Sequence, residues 1–253
     1  MVTGPPETYP HLARAPITEA LIDYRVQPRD GVTAASFDGV VKRFQSAFPT
    51  KVAINTFETK LGFDGEGRPI SPQPVHQVLG TMLRNQEVGE AIQFRVDGFT
   101  YNKLVPYTSW AEIYPRALSF WKEYVALAQP VSIVRVAVRF INKISLRLPI
   151  RDLSDYLRTA PILPPELPQQ MRHFLTRVVL YEPEQDISAN VTQALEPAMP
   201  QDHIVILFDT DAFREIRVPV DSPEIEKTFQ DLHRLKNRIF FKSLTPEALE
   251  LFK

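Results

Sequence analysis

Arg135, Arg139 and Lys143 recur along VSIVRVAVRFINKI, residues 131–144, with Val134, Val136, Val138, Phe140 and Ile144 between them. Alternation along a strand sends the cations to one face and the apolar residues to the other. Arginine forks grip carboxylate and phosphate oxygens in bidentate pairs, so this ladder is a candidate site for an anionic ligand or an acidic partner. In QFRVDGFTY, taken as one strand, Arg95 shares a face with Phe99 and Tyr101. Guanidinium groups and aromatic rings on an open sheet suit stacked bases. The alternative is a solvated sheet face whose charges pair with one another. Asn142 falls in phase with Val138 and Phe140, on the apolar side. A buried amide needs a partner, so Asn142 is expected to bond a backbone carbonyl or a loop and to serve structure.

Two carboxylates follow. HIVILFDTDAF sets Asp209 and Asp211 on one face near the end of a strong strand. Such a pair can hold a divalent cation, though no third ligand is signalled by spacing. It can equally pair with the arginines of 131–148 across the sheet. None of the five histidines (His11, His76, His173, His203 and His233) forms a close ligand pair. His233 flanks the apolar stripe of a helix and is expected to pack there. There is no GxSxG elbow, no glycine-rich phosphate loop and no cysteine. Thiolate metal sites and a cysteine nucleophile are excluded. A net charge of -1 supplies no overall field that would draw nucleic acid or an anionic membrane. No apolar run reaches the length of a membrane span and no signal segment opens the chain, so a soluble, cytoplasmic protein is expected.

The elements that must position these residues are legible in the apolar periodicity. Residues 1–16 form a proline-rich arm. PITEALIDYRV reads as a strand, 35–48 as a helix, and three apolar runs as strands, the last being EAIQFRVDGFTYNKL. Ser109 and Glu112 mark the capped start of a long helix with Trp121 in its stripe. After Gln129–Pro130 the order restarts: the strand 131–148, a weak helix at DLSDYLRTA, three strands, and a helix from Ser222 carrying Ile225, Phe229, Leu232, Leu235 and Ile239. A short helix begins at Thr245–Pro246.

The expected fold class is α+β: two pseudo-repeats of β-α-β-β-β-α, residues 17–129 and 130–253, in one compact unit. Their strands make a largely antiparallel sheet with the long helices on one face. By analogy of element order this resembles the saddle of the TATA-binding-protein-like folds.

Three stretches carry a resemblance of another kind: PITEALIDYRV, RVAVRFINKI and LHRLKNRIFFKSLT. In this order they resemble a sporadically distributed bacterial family of about this length and of unknown function. The resemblance implies prokaryotic origin and an accessory or defence-type gene neighbourhood; it implies no activity, cofactor or site residue. The leading expectation is a non-enzymatic binding module that recognises another protein or a small anionic ligand. It would act through the sheet face (Arg135, Arg139, Lys143, Arg95, Tyr101) or the groove between the halves. A homo-oligomer is compatible with this. The competing readings are a metal-dependent hydrolase built on Asp209 and Asp211, and a nucleic-acid binder using the cationic face. The neutral balance of charge disfavours the second of these, and no cofactor is expected.

Overall fold

The computed structural model describes residues 9–63, 69–197 and 202–253, without the side chains of 57–76 and 197. The first eight residues of the arm, the DGEGRP turn up to Arg68 and the side chain of His76 lie outside the described residues. Strand β1 (Ile17–Gln27) alternates as its sequence requires: Ala20, Ile22, Tyr24 and Val26 are buried, while Glu19, Asp23 and Arg25 take the other face. Its neighbours are β5 (Gly98–Leu104) on one side and β6 (Ser132–Arg147) on the other. Beyond β5 lie β4 (Glu90–Arg95), β3 (Pro69–Asn85) and β2 (Thr50–Phe63). Beyond β6 lie β9 (His203–Val218), β8 (Ile187–Pro197) and β7 (Leu175–Glu182). The fold is thus α+β, with one nine-stranded sheet in which each neighbouring pair is antiparallel.

Helices α2 (Trp110–Ala128) and α3 (Glu224–Ser243) pack on one face. Ser109 caps α2 by accepting from the Glu112 N–H at 3.2 Å, and Gln129 ends it in the left-handed region. Trp121 stacks on Tyr24 with 4.0 Å between ring centroids, and Phe229 of α3 sits 4.9 Å from the same ring. Burial of each such side chain stabilises the fold by about 1.5–3 kcal/mol. Helix α1 (Asp38–Phe44) follows a short 3-10 turn, and α4 (Pro246–Glu250) starts at the Thr245 cap. No helix among the described residues is long and apolar enough to cross a membrane.

Three sequence expectations are corrected. EAIQFRVDGFTYNKL is two strands, a hairpin turning at Val96–Asp97, so four strands follow the first helix. Asp-Gly is a strong short-range turn signal. DLSDYLRTA is only a 3-10 turn, Leu153–Asp155, because it offers two inward leucines, Leu153 and Leu157, and no sustained stripe. The two halves therefore differ in element count, and neither reproduces β-α-β-β-β-α. Val134 is not on the apolar face. A β-bulge between Ile133 and Arg135 resets the alternation, and Ile133 takes the buried place.

Candidate functional site

The face without helices carries the predicted ladder, and its cations are held by acids of the same face. Arg139 grips Asp209 with Nε at 2.9 Å and Nη2 at 2.6 Å. Arg135 reaches Asp211 at 2.9 Å and Asp23 at 3.6 Å, and Lys143 reaches Glu196 at 3.3 Å. Arg95 is buried among four partners: Asp23, Asp97, Gln93 and Thr100, each at 2.9–3.1 Å. Register explains the pattern, since Arg139 stands opposite Asp211 and Ile141 opposite Asp209. The forks that would take an incoming oxyanion are already filled. Among the described residues no group of three or more His, Asp or Glu is placed to hold a metal ion.

Tyr101 does not share this face. The hairpin pairs Arg95 with Gly98 and Phe94 with Phe99, so Thr100 and Asn102 stand beside Arg95. Phe99 and Tyr101 point to the core, and the Tyr101 hydroxyl donates to Glu90 at 2.9 Å. The expected platform of arginine and aromatic rings is therefore not formed.

On the opposite side, the helical layer leaves a cavity of about 400 Å³ beneath the N-terminal arm. Phe140 and Asn142 of β6 and Thr210 of β9 border it, as do His233, Lys236, Asn237 and Phe240 of α3. Val105–Trp110 form another wall, and Tyr9–Ile17 run across it. The arm is fastened at several points. Tyr9 stacks on Phe241 at 4.6 Å, the Arg14 N–H donates to the Phe252 carbonyl at 2.9 Å, and the Lys143 N–H donates to the Pro16 carbonyl at 2.9 Å.

Polar groups stand in this apolar setting. Asn142 is buried and donates to the Phe208 carbonyl at 3.1 Å, as its phase in the strand predicts. Thr210 stands opposite Phe140, and its buried hydroxyl has no hydrogen-bond partner among the described residues. Lys236 is only 7% exposed. Its ammonium lies 3.5 Å from the centre of the Phe140 ring and makes no ion pair among the described residues. Burial pulls its pKa down to about 7. His233 stacks on Trp110 at 4.3 Å, and burial, with the Lys236 and Arg234 charges, pulls its pKa down to about 3. Its imidazole is thus neutral across the physiological range.

Lys236 and Thr210 escape a reading that equates lysine with surface and treats strand threonine as neutral. The signal was present: Phe229, His233, Lys236 and Phe240 recur at helical spacing, and Thr210 alternates with Phe208 and Ala212. Comparison with protein-family models, with curated proteins and with solved structures returns no match. The functional reading rests on this geometry.

Proposed function

We propose that the protein is a small-molecule-binding module whose cavity takes an aromatic or apolar carboxylate. The carboxylate faces Lys236, and the apolar body lies among Tyr107, Trp110, Phe140 and Phe240. One observation carries the reading: a lysine buried between helix and sheet with no acid beside it among the described residues. A buried cation without a counter-ion is costly, and a bound anion would offset that cost. The partnerless Thr210 hydroxyl adds a donor without charge. A cavity of about 400 Å³ has the size of a small-ligand site, and its walls offer aromatic and apolar surface (Tyr107, Trp110, Phe140, Phe240) beside polar groups such as Asn142, Thr210 and Lys236. The anionic ligand expected from the sequence is kept; of the two expected places, the sheet face and the groove between the halves, this reading takes the second, since residues of both halves line the cavity.

Benzoate and 3-phenylpropionate test this. Either should raise the melting temperature at pH 6.5 and change the emission of Trp110, one of two tryptophans in the chain. Affinity should weaken above pH 7, where the free protein's Lys236 loses its proton and the carboxylate must bind together with one. Melting curves unmoved by both carboxylates would end the reading.

A further inference from the structure

We infer that Lys236 is also an amine nucleophile, forming a reversible imine with 2-oxo acids that carry an apolar side chain. The inference rests on the carboxylate reading above and names the ligand class more closely. Most lysines are solvated ammonium groups or members of ion pairs. Lys236 is neither among the described residues: it is buried, it borders a cavity, and its amine sits over the ring face of Phe140. Among the described residues, the titratable and charged groups around that cavity besides Lys236 are Tyr9, His11 and Arg14 of the arm, Tyr107 of the 105–110 wall, and His233 of α3. None of them is a carboxylate that would lock the ammonium form. Burial adds to this by drawing the amine toward its uncharged state near neutral pH.

The chemistry balances without a further reactant. The amine lone pair attacks the keto carbon, a C–N bond forms, and the carbonyl π electrons move to oxygen. One proton passes from nitrogen to that oxygen, giving a carbinolamine. Loss of its hydroxyl with a proton, as water, leaves C=N; nothing is oxidised or reduced. Protonated, the imine keeps the positive charge at the former lysine nitrogen. That charge lies next to the acid's own carboxylate, which favours 2-oxo acids over simple ketones. The Thr210 hydroxyl, buried and partnerless on the cavity floor, supplies a hydrogen-bond donor for the oxygens.

Phenylpyruvate is the probe. The intact protein is incubated with it at pH 7.5 and treated with sodium cyanoborohydride, and digested peptides are mapped by mass spectrometry. The expected result is a reduced adduct on Lys236, blocked by excess benzoate and lost in Lys236→Arg. The exposed Lys42 and Lys122 serve as internal controls in the same digest. If adducts form only on exposed lysines, the inference is overturned. If benzoate raises the melting temperature but phenylpyruvate leaves no adduct on Lys236, the imine fails and the carboxylate reading stands. If neither ligand acts, both fall. Because the wild-type digest locates the adduct by itself, the result holds even if Lys236→Arg does not fold.

Discussion

Replacing Lys236 with methionine keeps a long apolar side chain beside Phe140 and removes the charge. The sign of its effect follows from linkage. The folded pKa of Lys236 lies near 7, and the unfolded value is the usual lysine value of about 10.4. Between these the unfolded chain binds more protons, so this group makes wild-type stability rise with pH. Below pH 7 the cost of the buried charge is fully present. Lys236→Met should therefore be more stable than wild type at pH 6.5, and the gain should shrink by up to about 1.4 kcal/mol per pH unit toward pH 9.5. Chemical denaturation of both proteins at the two pH values measures it; parallel behaviour would mean that Lys236 is solvated. Asn142 was legible at this scale and Lys236 was not. An amide inside a strict strand alternation stands out, whereas a helical stripe is wide enough for one lysine at its border to pass as surface.

Parity errors arise at the level of elements. A run of alternating residues assigns faces correctly only while the strand continues, and the turn at Val96–Asp97 inverts the assignment for Phe99 and Tyr101. The bulge after Ile133 does the same for Val134. Both devices depend on backbone approach, which hydropathy does not record. Gly98 is the clearest case: a Cβ there would lie 2.2 Å from the Tyr24 carbonyl oxygen of β1. Backbone cannot yield cheaply at the middle of a sheet. Gly98→Ala should cost about 1–3 kcal/mol in equilibrium unfolding. A variant as stable as wild type would show that β5 can move away from β1. By contrast, the long helices, the Ser109 cap of α2 and the cationic face of β6 follow directly from periodicity and capping chemistry, and the structure has them where the sequence puts them, with α3 starting at Glu224, two residues later than expected.

Across the whole molecule, one sheet separates two chemistries. Its open face is a lattice of paired charges, and its helical face holds an aromatic core with an amine-bearing cavity at one end. Trp121, stacked on Tyr24 and 4% exposed, belongs to that core. Trp121→Ala should destabilise by about 3–5 kcal/mol, read from denaturant titration; an unchanged midpoint would place α2 away from the sheet. Arg135→Glu with Arg139→Glu sets acids against Asp23, Asp209 and Asp211, so its melting temperature should fall, most in dilute salt and least at high salt, where the repulsion is screened. The central claim is that binding belongs to the cavity and not to the charged sheet face. The most direct test is calorimetric titration of 3-phenylpropionate at pH 6.5 into wild type, Lys236→Met and the Arg135→Glu/Arg139→Glu double variant, each folded at the working temperature. The account predicts at least about tenfold weaker binding for Lys236→Met, the loss of roughly 1.4 kcal/mol or more expected for a charge-assisted contact, with the double variant matching wild type. Binding retained in Lys236→Met and lost in the double variant would contradict it.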